Sequence, residues 1–175
     1  MKPLWIPGLM TLVSVSGCVL KHNDVVLAPS IPAVSGEMHT MFSLRYADIE
    51  AGTGKPAEAG HCFYVHYTGW LVNGKKFDSS HDTTAQGQAR KPLSFIQGSR
   101  QVIAGWDAGF EGMRVGGKRR LFIPYQLAYG ERGRTPVIPP RAMLVFDVEL
   151  MDVRDAPPAT RPPAAPARCP DFDAP

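Results

Sequence analysis

The run 65–80, VHYTGWLVNGKKFDSS, restricts what this chain can become more than any other stretch. It is entered by a clean alternation, with Phe63, Val65 and Tyr67 on one face and Tyr64, His66 and Thr68 on the other, the period of a half-buried strand. Asn73-Gly74 supplies a tight turn, since both residue types tolerate positive φ. The returning arm carries Phe77 and Asp78 back towards the level of Tyr67. The spacing therefore predicts a phenol, a phenyl ring and a carboxylate around one cavity. No metal-ligand spacing and no nucleophilic triad accompanies them. Ser79 and Ser80 follow the carboxylate directly and read as capping and turn residues.

The rest of the chain supplies walls. Residues 43–50 alternate as a strand, which the glycines and proline of AGTGKPAEAG (51–60) end. A polar stretch, HDTTAQGQARK (81–91), follows the hairpin, and residues 92–96 resume as a strand that Gly98 breaks. In 101–110, Val102, Trp106 and Phe110 recur at i, i+4 and i+8, one face of a short helix. Residues 114–123 read as a strand, with the basic run Lys118-Arg119-Arg120 on a solvated face. A long loop, 125–140, carries Tyr129, Val137 and Ile138. The strand 143–153 closes the unit with Leu144, Phe146, Val148 and Leu150 inward. One helix against an antiparallel sheet is an α+β layer architecture.

The ends are of a different character. Residue 2 is Lys, LWIPGLMTLVSV follows, and Val15-Ser16-Gly17-Cys18 resembles the bacterial lipobox, in which cleavage precedes an acylated cysteine. That resemblance implies a signal peptide over 1–17 and lipidation of Cys18. Val19 is not the Asp that retains lipoproteins at the inner membrane, so it further implies a cell-envelope protein anchored to the outer membrane and facing the periplasm. Residues 18–41 read as a tether, with an extra edge strand as the alternative. Of the 17 prolines many fall after Asp155, in APPATRPPAAPARCP, and 155–175 reads as a disordered Pro/Ala-rich tail. Cys62 reads as a small semi-buried residue and Cys169 as exposed. A disulfide between them suits an oxidising compartment, but sequence does not establish its geometry. A net charge of +3 gives no case for a nucleic-acid partner.

The run 65–80 resembles the signature of the FKBP-type peptidyl-prolyl isomerases. Further matches follow in that family's order: Val102-Ile103-Ala104-Gly105-Trp106, Ala128-Tyr129-Gly130, Val137-Ile138-Pro139-Pro140 and 144–150, LVFDVEL. The resemblance spans about 44–153 and implies an FKBP-like antiparallel sheet wrapped around one short α-helix, with a domain over 42–154. It implies rotation about X-Pro bonds and needs no cofactor and no metal. Clients would be proline-containing exported polypeptides whose folding the enzyme assists, and tacrolimus- or rapamycin-like macrolides would inhibit. A non-catalytic proline-recognition module of the envelope is the alternative. With no dimerisation segment in view, a monomer is expected.

The resemblance also assigns residues. Tyr67, Phe77, Val102, Ile103, Trp106 and Phe146 would line the proline pocket, with Trp106 as its floor. Asp78 would act electrostatically on the rotating amide, and Tyr129 would donate to a substrate carbonyl. Val137 and Ile138 would complete the substrate-binding set, the Ile138 N–H holding a second carbonyl. Phe77, Asp78, Trp106, Tyr129 and Phe146 form the implied catalytic set. Three positions depart from the family pattern: Leu93 where phenylalanine is common, Gln101 where glutamate is common, and Arg134 near a usual histidine. Across the 81–91 insertion the resemblance assigns no basic partner to Asp78.

Overall fold

A computed structural model describes residues 27–36, 38–41, 43–158 and 167–173. The expected signal peptide and Cys18 lie outside the described residues. Among the described residues seven strands, β1 (Met38–Met41), β2 (Leu44–Glu50), β3 (Cys62–Leu71), β4 (Lys76–Ser79), β5 (Leu93–Ile96), β6 (Lys118–Ile123) and β7 (Leu144–Arg154), pair antiparallel throughout. Their order is β1-β2-β6-β7-β3-β4, with β5 also on β3. One helix, α1 (Ala104–Gly109), packs against the sheet, the α+β arrangement expected.

The period-2 pattern explains the inner face. Phe63, Val65 and Tyr67 of β3 meet Leu121 and Ile123 of β6 and Phe146, Val148 and Leu150 of β7 in one core. A helix of six residues does not hold itself in water. α1 is held by Trp106 and the adjoining Phe110, both buried, each side chain contributing about 1.5–3 kcal/mol on removal from water. Gly105 lets it approach: a Cβ there would lie 2.3 Å from Ile123 Cγ2. The core continues as edge-on rings, with Phe63 5.7 Å from both Phe95 and Phe110.

Three expectations need correction. Arg119 and Arg120 are not on a solvated face but are 4% and 1% exposed. The register places Arg119 opposite Asp48 and Arg120 opposite Asp147. Arg120 donates to both carboxylate oxygens of Asp147, at 2.5 and 2.6 Å, and to the Pro32 carbonyl. Arg119 donates to Asp48 at 2.6 Å and to the carbonyls of Gly109 and Glu111, and stacks 4.0 Å over Tyr46. Each guanidinium is thus charge-paired and hydrogen-bonded, the condition for burying it.

The second correction concerns the tether. In its described part, β1 pairs with β2, and Ile31 is buried against Phe122 and Val145 on the outer face of the sheet. The third concerns the tail. Residues 167–173 lie on the opposite end of that outer face, where Cys169 is bonded to Cys62 with Cα atoms 5.5 Å apart. There Tyr64 packs 5.5 Å from Phe172 and donates to the Pro170 carbonyl at 2.7 Å. Both ends cover apolar side chains that β3, β6 and β7 present outward. Proline-rich composition conceals this, because so few residues do the covering.

Candidate functional site

The turn between β3 and β4 works as expected in outline. Gly74 takes φ 84°, and Asn73 contributes its side chain, Oδ1 accepting from the Lys75 N–H. β4 then runs back so that Asp78 lies opposite Gly69 and Ser79 opposite Thr68. Past the strand end, the Ser80 N–H donates to the Tyr67 carbonyl at 2.9 Å, and its Oγ accepts from the Tyr67 N–H at 2.8 Å. Ser79 and Ser80 are buried hydrogen-bonding residues that lock the hairpin level with Tyr67.

The lock brings the phenol to the carboxylate. Tyr67 donates from its hydroxyl to Asp78 Oδ2 at 2.5 Å. The backbone N–H of Ser79 and Nη1 of Arg90 donate to the other oxygen at 2.9 and 3.0 Å. Burial alone would raise the Asp78 pKa, but the Tyr67 hydroxyl, Arg90 and the Ser79 N–H outweigh it and hold the carboxyl below its ordinary range. Burial and the Asp78 contact push the Tyr67 phenol well up. Asp78 is therefore an ionised, fully engaged carboxylate, and Tyr67 stays a donor. This is electrostatic equipment and leaves no group poised for general acid-base work.

Arg90 is the residue that sequence reasoning left unassigned. It lies twelve positions from Asp78, in the 81–91 stretch, and its Nη1 also donates to the Ser79 carbonyl at 2.7 Å. A lone arginine in a polar loop carries no spacing signal of its own. Only the folding of that loop back onto the strand end brings the two together.

Beside this pair opens a cavity of about 650 Å³. Tyr67, Phe77, Asp78, Val102, Ile103, Trp106, Tyr129 and Phe146 all line it, together with Leu93, Gln101 and Arg134. Trp106 lies 5.0 Å from Tyr67 and 5.3 Å from Phe146, both edge-on, and Phe77 meets Phe146 at 5.4 Å and 90°. Gly69 makes the room: a Cβ there would come within 2.6 Å of Phe77 and 2.7 Å of Phe146. Arg134 sits 5.9 Å above the Tyr129 ring. Among the described residues no cluster suits a metal ion.

Two expected residues do not join the site. Val137 is 42% exposed outside the cavity, and Ile138 is buried in the core beside it. The Ile138 N–H donates to the Arg134 carbonyl at 2.9 Å, so it is not available to a substrate. The loop closes on itself through that bond, which sequence could not foresee. Ile103 lines the cavity at the start of α1, and its N–H donates to no acceptor among the described residues.

An aromatic cavity beside an engaged carboxylate agrees with what comparison finds. The family model for FKBP-type peptidyl-prolyl cis-trans isomerases matches residues 53–151. The chain belongs to that family. An FK506-binding protein of Neisseria meningitidis serogroup A is 53% identical over 113 residues, 65% of this chain and 98% of that protein. The isomerase FkpA of Escherichia coli K12 is 44% identical over 129 residues, 73% of this chain and 44% of that one. The crystal structure of E. coli FkpA shares the fold with a TM-score of 0.59 at 43% identity, covering 69% of this chain and 53% of that chain. The chain thus matches about half of FkpA's length. Its activity is peptidyl-prolyl cis-trans isomerisation, and the isomerase's cavity is the place to look for it.

Proposed function

We propose that this isomerase assists the folding of proline-containing polypeptides in an oxidising cell envelope, and that a lipid on Cys18 anchors it to the outer membrane, facing the periplasm. The Cys62–Cys169 bond carries the compartment, since disulfides persist in exported proteins and are rare in reducing ones. The lipobox-like run ending in Cys18 and the Val19 after it support the anchor.

The substrate's proline ring rests on Trp106 between Tyr67, Phe77 and Phe146, with Val102 and Ile103 at the side. The amide barrier is about 18–20 kcal/mol because rotation removes resonance, and uncatalysed exchange takes about 10–100 s. A twisted amide has lost charge separation and is the less polar species. A water-poor aromatic cavity therefore favours it over the planar form, and each 1.4 kcal/mol of difference is about tenfold in rate. No bond to substrate forms, so no nucleophile enters. Asp78 acts through its charge, Tyr129 donates to one substrate carbonyl, and the Ile103 N–H, in place of Ile138, donates to a second. Tacrolimus- and rapamycin-like macrolides occupy the same cavity. Leu93, Gln101 and Arg134 adjust which residue is preferred before proline.

The cis-to-trans rate of X-Pro peptides tests the pocket. The full chain is expected to accelerate exchange, with rapamycin blocking it and Asp78→Ala reducing it; an Asp78→Ala enzyme of full activity and drug affinity would remove Asp78 from the mechanism. Fatty-acid labelling of cells making the chain or its Cys18→Ser variant tests the anchor. Label that persists in Cys18→Ser, or an unlabelled soluble chain, would overturn it.

A further inference from the structure

The C-terminal segment reaches past the outer face of the sheet to two residues, of which the first lines the cavity. That first residue is Gln101. Its Oε1 accepts from the Ile96 N–H at 3.1 Å and its Nε2 donates to the Ala167 carbonyl at 2.9 Å. Both ends of the amide are thereby used, and a side chain with three rotatable bonds is held in one orientation. The second is Lys91, whose Nζ lies 2.5 Å from Asp173. Lys91 adjoins Arg90, the arginine that holds Asp78.

What fixes the segment between those two contacts is local and covalent. Ala167 stands two residues from Cys169, which is bonded to Cys62. Cys62 is fully buried in β3, whose partner across the sheet at that position is Ile96. Ile96 is the residue whose N–H the Gln101 Oε1 accepts. The bond therefore anchors Ala167 to the same strand pair that anchors the other end of Gln101. Beyond it, Phe172 packs on Tyr64, and Arg154 donates from Nη2 to the Phe172 carbonyl at 2.8 Å.

We propose that the disulfide-tethered segment 167–173 is a positioning clamp on the isomerase pocket, acting through Gln101, which is thereby a specificity-determining residue on the substrate side of α1. The clamp rests on the cavity being the isomerase site. It closes by thiol–disulfide exchange, in which the two cysteine thiols pass two protons and two electrons to a disulfide oxidant that leaves as a dithiol, and a dithiol reductant reopens it by supplying both.

The test uses the full chain, oxidised, beside Cys169→Ala, which leaves every strand residue in place, and Gln101→Glu, which keeps an acceptor for Ile96 but offers no donor to Ala167. Steady-state isomerisation is read on X-Pro peptides with Leu, Phe, Ala and Glu before proline, and urea unfolding is read in parallel. Cys169→Ala is expected to lose about three- to tenfold in kcat/KM, mainly through KM and unequally among the peptides, the range for one orienting hydrogen bond. In the Gln101→Glu background the same change is expected to cost less than about twofold, because the contact it supports is already gone. Dithiothreitol on the unmutated chain should reproduce Cys169→Ala, which covers the case of a variant that folds poorly. Equal kcat/KM in the oxidised and reduced folded chains would overturn the clamp. So would an undiminished effect of Cys169→Ala in Gln101→Glu, which would mean that the bond only stabilises the fold. An oxidised chain with no activity on any peptide would instead overturn the assignment of the pocket.

Discussion

The Tyr67 hydroxyl meets Asp78 Oδ2 at 2.5 Å, across a hairpin whose arms are locked level by Ser79 and Ser80. The bond joins an aromatic wall of the cavity to the Asp78 carboxylate. Tyr67→Phe removes the donor and leaves Arg90 and the Ser79 N–H in place. Stability should fall by about 1 kcal/mol in urea unfolding. Activity on X-Pro peptides should fall by about two- to tenfold, as Asp78 becomes freer to move. Unchanged activity would show that the phenol serves packing alone.

The pH dependence follows from the same pair. The Asp78 pKa in the fold lies below its ordinary value of 3.8, so the fold favours the ionised form. Its contribution to stability is whole above that value and is lost as pH falls through the lower, folded one. Urea midpoints measured between about pH 7 and pH 2 should show an acid decline that Asp78→Asn makes shallower. The carboxylate is partly exposed, so the difference should also shrink in high salt.

Gly69→Ala tests how the cavity is kept open. The added methyl would meet Phe77 and Phe146 at 2.6 and 2.7 Å, and both rings would have to shift. A loss of about 1–3 kcal/mol in stability is expected from overpacking, with a larger effect on KM than a distant variant of equal stability produces. Near-native peptide binding in Gly69→Ala would show that the rings are free to give way.

Arg120→Ala separates fold from site. It leaves Asp147 without its bidentate partner and Pro32 without its donor, and about 3–5 kcal/mol of destabilisation is expected in urea. Arg120 lies outside the cavity, so the folded fraction should keep its kcat/KM.

Legibility differed sharply between these residues. Tyr67, Phe77 and Asp78 were readable because strand alternation and a turn dipeptide are local signals; Trp106 and Phe146 read by spacing as inward-facing and were assigned to the pocket by the family resemblance, and all five reach the cavity. Ile138 was assigned a donor role that its own loop takes up, since the Arg134 carbonyl four residues back accepts the N–H. The basic run was misjudged because alternation says which face a side chain takes, while burial of a charge depends on what stands opposite. Asp48 and Asp147 are 71 and 27 residues away from their arginines.

The sequence by itself determined the antiparallel sheet, the short helix, and the hairpin that brings Tyr67, Phe77 and Asp78 together, because each rests on periodicities of two or 3.6 residues and on turn chemistry within a few positions. Tertiary structure alone decided that Arg90 holds Asp78, that Ile31 and Phe172 cover the outer face, and that Cys169 finds Cys62. Those are contacts between segments with no shared period, so their partners exist only once the chain has closed on itself.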